Sequence, residues 1–185
     1  GDELKLALLL YKGLSIPVAM TYGDKSHMNA LFESLYHDLP GRFYTHIWEA
    51  HESGLLTHYE CDELSLMLRM VLSREDYTRR PNDPDVVRLG HRDTARIVSL
   101  YEHYPDNFFE PYQLESGLYF GLHDGVGGPL VSIGGIHVLS KEYNVAAIGN
   151  LVTHPDYRGR NLAKRVTSRL LNEVFERVDL VTLNV

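Results

Sequence analysis

The sequence predicts a mixed α/β fold (an α+β mixed sheet) in two parts: a small α/β N-terminal domain over residues 1–80 and a larger α/β core over 81–185. Three observations carry this prediction. Short apolar runs with the composition of buried strands alternate with stretches of helical apolar spacing. Arg79-Arg80-Pro81-Asn82-Asp83-Pro84-Asp85 has two prolines and no apolar residue, so it reads as a linker. The apolar run Val145–Thr153 is broken by His154-Pro155-Asp156, and from Leu162 the apolar residues Leu162, Val166 and Leu170 fall four apart. A strand, a polar turn and a helix therefore follow one another, because proline has no N–H for a ladder and residues four apart share a helix face.

Taken in order, Leu4–Lys12 and Ile16–Tyr22 read as strands of a hairpin turning at Gly13-Leu14-Ser15. Ser26 reads as the N-cap of a helix to about Tyr36, with Met28, Leu31, Phe32 and Leu35 on one face. Arg42–Ile47 reads as a strand, Glu49–Tyr59 as a weak helix, and Glu63–Leu72 as a strand from its alternating leucines and methionine. After the linker come a short strand at Val86–Leu89 and a helix from Asp93 to about His103. A loop and short helix then run to Gly117, followed by strands Leu118–His123 and Leu130–Leu139. Gly134-Gly135 within the second of these marks a bulge or a close backbone approach. The strand Val145–Thr153, a helix from Asn161 to about Arg177 and a strand Asp179–Val185 complete the order.

Composition narrows the function. Of 185 residues, 44% are hydrophobic and 23% charged, enough apolar content to bury a core. A net charge of −7 disfavours nonspecific binding to nucleic acid or anionic membrane. The single cysteine, Cys61, excludes an internal disulfide and fits a reducing compartment. Leu4–Leu10 is too short to span a bilayer and follows acidic Asp2 and Glu3, so no signal peptide is read and a cytoplasmic protein is expected. His46, His51 and His58 match no zinc spacing, and no metal is expected.

The polar turn is the candidate site. Between Asp156 and Glu173 there is no acidic residue, but there are Arg158, Arg160, Lys164, Arg165 and Arg169. The first N–H groups of a helix have no partner within it, and the helix dipole adds positive potential there. A phosphate held on backbone amides is one reading. A helix that merely begins after a turn, with a basic solvated face, is the other.

The order strand, two helices, three strands, helix, strand, with Arg158-Gly159-Arg160-Asn161-Leu162-Ala163 after the third of those strands, resembles the GNAT superfamily of acetyl-CoA-dependent N-acetyltransferases. The family's motif is Arg/Gln-x-x-Gly-x-Gly/Ala, and the resemblance covers roughly residues 85–185. It implies that the amides from Gly159 to Ala163, including Arg160, Asn161 and Leu162, hold the pyrophosphate of coenzyme A, and that Arg158 shapes the loop. It implies that Leu151, Val152 and Thr153 pair with the pantetheine arm. Acetyl-CoA is then the cosubstrate, and the activity is transfer of acetyl to a primary amine of a small molecule or peptide. Nucleic-acid and membrane partners are not expected, and a homo-oligomer is left open.

The sequence departs from that pattern in three places. Asn161 stands where the family usually has glycine. Ala147 stands where many members carry a glutamate base. The chain stops at Asn184-Val185, before the family's C-terminal helix and hairpin. With Ala147 in that place, the candidates for catalysis are Asn150, to position water or carbonyl, and His137, whose ordinary pKa suits a base. An aromatic group, Tyr101, Tyr104, Phe108, Phe109 and Tyr112 with Glu110, reads as core or as an amine-receiving wall. The alternatives to a transferase are an inactive coenzyme-A-binding sensor or assembly module and, from a different class, a phosphate-binding α/β domain whose likeness is local.

Overall fold

The computed structural model describes residues 4–13, 15–105, 107 and 109–185. The chain divides into two compact units, residues 1–65 and 66–185.

In the first unit, β1 (Leu6–Tyr11) and β2 (Val18–Gly23) form the expected antiparallel hairpin, whose turn residue 14 lies outside the described residues. Helix α1 (Lys25–Leu35) carries the chain over to β3 (Tyr44–His46), which pairs parallel with β2. Helix α2 (Glu49–Leu55) follows. Met28, Phe32 and Leu55 form the centre of a small core, as the apolar stripe on α1 requires. The cap of α1 is Asp24 rather than Ser26: Asp24 accepts from the His27 amide at 3.1 Å, and the Ser26 hydroxyl donates to it at 2.6 Å. His51 is buried and satisfied. Its Nε2 lies 2.9 Å from the Gly23 carbonyl, which only accepts, so Nδ1 accepts from the Thr21 hydroxyl at 2.8 Å. Among the described residues no group of three or more His, Cys, Asp or Glu is arranged to hold a metal.

The second unit holds a six-stranded sheet. Its strands are β4 (Arg69–Ser73), β5 (Val87–Arg88), β6 (Phe120–His123), β7 (Leu130–Ser140), β8 (Val145–Thr153) and β9 (Leu180–Asn184), in the spatial order β4-β9-β8-β7-β6-β5. Only β8 and β9 pair parallel, joined by helix α4 (Leu162–Val174). Helix α3 (Thr94–Tyr101) and a 3-10 turn at Pro111–Ser116 precede β6. Val166, Leu170 and Val174 bury the inner stripe of α4 on the sheet, beside Ile133, Ile148 and Val152. The order β7-β8-α4-β9, an antiparallel pair and then a parallel crossover, repeats the connectivity of β1-β2-α1-β3 in the first unit. Among the described residues no helix is long and apolar enough to cross a membrane.

The division at Ser65/Leu66 differs from the expected one at 80/81. Residues 69–73 pair with β9 at the edge of the larger sheet, so they belong to the second unit. The proline-rich segment 79–85 is not a free linker. It is strapped to α4, where the buried Asn172 side chain donates to the Arg80 carbonyl at 2.9 Å and to Asn82 Oδ1 at 2.7 Å. Arg165 grips both oxygens of Asp83 and one of Asp85. Tyr77 stacks on Phe175 and donates to Asn172 Oδ1 at 2.8 Å.

Candidate cofactor and active site

The β7–β8 ladder carries two irregularities, and they build the site. Ile133 pairs with Val152 and Gly135 with Gly149, so Asn150 and Leu151 together face Gly134 alone. This is a β-bulge on β8, and Asn150 sits in it at φ 54, a left-handed angle that asparagine tolerates. A second shift, between Ile136 and Val138, leaves His137 as the extra residue on β7. On the other side of β8, pairing with β9 ends at Ile148↔Leu183, so among the described residues Gly149–Thr153 present an edge with no strand beside it.

The bulge is held by a buried polar network. Asn150 Nδ2 donates to the Tyr119 hydroxyl at 2.8 Å and lies 3.3 Å from Gln113 Oε1. The Tyr119 hydroxyl donates to Gln113 Oε1 at 3.1 Å, and the Tyr101 hydroxyl donates to the Asn150 carbonyl at 3.1 Å. All four residues are buried. Burial pushes the Tyr119 phenol up to about 12, partly opposed by the bond from Asn150, and raises Tyr101 further still. Both are therefore neutral at physiological pH. Phe109 stacks on Tyr101 and meets Tyr119 edge-on, so two members of the expected aromatic group enclose this network. Tyr112 is exposed, and Phe108 lies outside the described residues.

The paired glycines Gly135 and Gly149 let rings lie flat on the sheet. A β-carbon on Gly135 would stand 2.3 Å from the Tyr119 ring, and one on Gly149 would stand 2.0 Å from His137 Nε2. Paired residues of a ladder share a face, so His137 and Tyr119 occupy the same side of the sheet. Ala147, two residues before Gly149, points to that side as well. His137 is exposed at its edge and covered by β8 on one ring face, and this desolvation lowers its pKa below the ordinary histidine value.

The backbone of β8 refines the expected pantetheine edge. The His154 amide donates to the Val131 carbonyl at 2.8 Å, so alternation turns the backbone of Val152 toward β7 and that of Leu151 and Thr153 away. Three consecutive residues cannot all face one edge, and Val152 is already engaged with β7. The outward Thr153 carbonyl accepts from the Tyr104 hydroxyl. Arg158 donates to that same hydroxyl at 2.8 Å and lies over the Tyr104 ring, tying the turn to the end of α3.

The turn itself ends in an open helix mouth. Gly159 has φ 76 and Asn161 φ 59, and the Asn161 side chain makes no cap hydrogen bond. The first α-helical bond runs from the Arg165 amide to the Asn161 carbonyl. Among the described residues, no acceptor meets the amides of Gly159, Arg160, Asn161, Leu162 and Ala163. A β-carbon on Gly159 would meet nothing within 4 Å, so the space above the turn is open. Uncapped amides at the positive end of a helix suit an anion, so these residues fit a pyrophosphate. Arg160 leans on Tyr157, its guanidinium carbon 4.9 Å from the ring centroid, and Leu162 packs against the core and anchors the turn.

Sequence reasoning marks Asn150 and His137 and misses Tyr119 and Gln113. The signal for Tyr119 lies in Gly135, whose missing side chain makes room for the ring.

The second unit thus sets a bulged strand with an open edge directly before an uncapped helix, on a mixed α/β fold. The chain belongs to the acetyltransferase (GNAT) family, whose model matches residues 86–185. No curated protein matches the chain. Solved structures share the fold. A GCN5-related N-acetyltransferase from Kribbella flavida is 14% identical with a TM-score of 0.66, over 97% of this chain and 76% of that one. A second, from Sphaerobacter thermophilus, is 12% identical with a TM-score of 0.60, over 97% and 66%. A GNAT-family protein from Novosphingobium aromaticivorans is 22% identical with a TM-score of 0.55, over 64% of this chain and 51% of that one. The chain thus spans about half the length of the Novosphingobium protein.

Proposed function

We propose that the chain moves an acetyl group from acetyl-CoA to a primary amine of a small molecule or peptide, by direct transfer in a ternary complex. One observation carries the reading: among the described residues, five successive amides, Gly159 to Ala163, find no acceptor, and they follow the stretch of β8 that has no strand beside it. These amides hold the pyrophosphate, and Arg158 fixes the turn through Tyr104. The outward backbone of Leu151 lines the pantetheine arm, with Thr153 bounding it where its carbonyl is held by Tyr104. When bound, acetyl-CoA supplies an acetyl thioester activated toward an amine.

His137 takes the proton from the attacking amine. Its lowered pKa keeps it neutral and able to accept near pH 7, and it lies over Gly149 on the face where β8 offers only Ala147. Asn150 acts as a positioning residue. Its amide is committed to Tyr119 and Gln113, and its backbone holds the bulge that turns Leu151 outward.

The absence of a carboxylate at 147 favours a second reading, a coenzyme-A-binding module without transfer activity. Titration calorimetry with acetyl-CoA and longer acyl-CoAs tests the cofactor, and thiol release over a panel of amines tests the reaction. Failure to bind any acyl-CoA sinks both readings. Binding without thiol release on any amine leaves the module.

A further inference from the structure

The turn before α4 is tied down at two points. Arg158 reaches the Tyr104 hydroxyl on one side. On the other, Tyr157, the last residue of the 3-10 turn Pro155–Tyr157, donates its hydroxyl to Asp124 Oδ2 at 2.6 Å. That distance is in the range of a charge-assisted O–H···O⁻ bond. The bond raises the Tyr157 phenol above its ordinary value, so the hydroxyl stays a donor. The Tyr157 ring packs against the core and carries the Arg160 guanidinium on its face, so the place of the ring is passed on to the turn.

Asp124 stands in the hairpin between β6 and β7, 33 residues before Tyr157, and the hairpin is built to hold it. Its amide donates to the Pro129 carbonyl at 2.9 Å, and the His123 imidazole donates to the Gly128 carbonyl at 3.0 Å. A β-carbon on Gly128 would stand 1.9 Å from the Asp124 carbonyl oxygen, so only glycine closes the hairpin this tightly. Among the described residues Asp124 makes no ion pair. Its carboxylate lines one cavity with Tyr157, Arg160 and Leu162, so a negative charge faces the turn. Charge of that sign opposes a polyanion, so attraction to the ligand does not account for a carboxylate at 124. Its bond to Tyr157 does.

Resting on the reading of the turn as the pyrophosphate holder, we propose that Asp124 is a positioning residue for acyl-CoA. Acting through Tyr157, it keeps the amides of Gly159–Ala163 set for the pyrophosphate. The effect of removing it has the opposite sign to that of simple electrostatics. Loss of a negative charge beside a polyanion site tightens binding when charge is all that changes. Loss of the hold on the turn weakens binding, because a loose turn must be ordered by the ligand.

The test is titration calorimetry of the 185-residue chain with acetyl-CoA, on the native protein and on Asp124→Ala, Asp124→Asn and Tyr157→Phe. Asp124→Ala and Tyr157→Phe should each bind about fivefold more weakly. The double variant should be no weaker than either, since both changes break one bond. Asparagine keeps an acceptor for the phenol, so Asp124→Asn should hold native affinity or exceed it. Amide exchange of the ligand-free chain at Tyr157, Arg158 and Arg165, whose amides are bonded within the turn, should quicken with alanine and not with asparagine. An alanine variant with native affinity or better, or with native exchange, would overturn the proposal and leave the pyrophosphate reading standing. So would an asparagine variant as weak as alanine. A native chain that binds no acyl-CoA would overturn that reading and this proposal together.

Discussion

The imidazole of His137 lies across Gly149 of the neighbouring strand, so close that a β-carbon at 149 would stand 2.0 Å from Nε2 and 2.2 Å from Cδ2. Among the described residues no hydrogen-bond partner meets the ring, and the missing side chain of Gly149 lets it lie on the sheet. Gly149→Ala should therefore swing His137 off the face and lower kcat without weakening acetyl-CoA binding. His137→Gln should cost about 10²-fold in kcat, the usual contribution of a general base. A kcat unchanged in both variants would remove His137 from the reaction. The pH dependence has a definite sign. A histidine pKa lowered by burial keeps the base unprotonated until the pH drops below the ordinary value of about 6.5, so an acid limb that belongs to His137 must lie below that value and vanish in His137→Gln. Stability follows the same direction. The unfolded chain takes up this proton first, so the folded state loses ground as pH falls through about 6.5.

The network under the bulge makes a separate prediction. Asn150→Ala leaves the buried Tyr119 hydroxyl without its donor and puts alanine at a left-handed angle. The expected loss is about 2–3 kcal/mol in unfolding free energy, from an unmet buried polar group and from backbone strain. Chemical denaturation measures it. Asn150→Gly keeps the angle and loses the side chain, so it should recover part of that loss. Equal stability of the alanine variant and the native chain would mean that the bulge is not set by Asn150.

At the helix mouth, Asn161→Asp places a carboxylate where the open amides face a phosphate. Acetyl-CoA affinity should fall about tenfold, since the same amides that attract an anion then carry one of their own. Asn161→Gly, at φ 59, should bind at least as well as the native chain. Calorimetry distinguishes the two, and an aspartate variant of native affinity would place the pyrophosphate elsewhere.

The strap should loosen when its anchor is removed. Asn172→Ala breaks the bonds to Arg80 and Asn82 and leaves Tyr77 without an acceptor at Asn172. A cost of about 2 kcal/mol is expected, together with faster amide exchange across residues 79–85. Acid should do the same by another route. The hydrogen bonds from Arg165 hold the Asp83 carboxyl below the usual carboxylate range. That contribution is complete above the unfolded value of about 3.9 and is lost as pH falls through the lower folded value. Unchanged exchange in the variant would show that the segment is fixed by something other than Asn172.

The elements of the larger sheet were legible because their signals are local. The run from Val145 to Thr153 is a strand by composition, and Leu162, Val166 and Leu170 mark a helix by spacing. Segment 79–85 reads as a linker because its prolines and charges look unattached in a local window. What attaches them, Arg165 and Asn172, lies some 80 to 90 residues away in sequence. The polar turn from Arg158 to Ala163 is legible, but not that its amides are uncapped, which depends on where the Asn161 side chain goes. His137 was visible as a titratable group, while its face was not: one extra residue in β7 reverses the alternation that would place it. Tyr119 gave no local sign, since its place is made by a glycine on another strand.

Asp24 has a consequence for the first unit. There the same hairpin-helix-strand frame recurs, but the mouth of α1 is occupied by a carboxylate from the chain itself, stabilised as an anion by Ser26 and the His27 amide. One polypeptide thus carries two versions of a single frame, one with an uncapped helix N-terminus and one closed by its own carboxylate. They form an internal control for how much of an anion's affinity belongs to the frame and how much to its uncapped amides. Asp24 against Asn161 is the pair of positions at which that difference is decided.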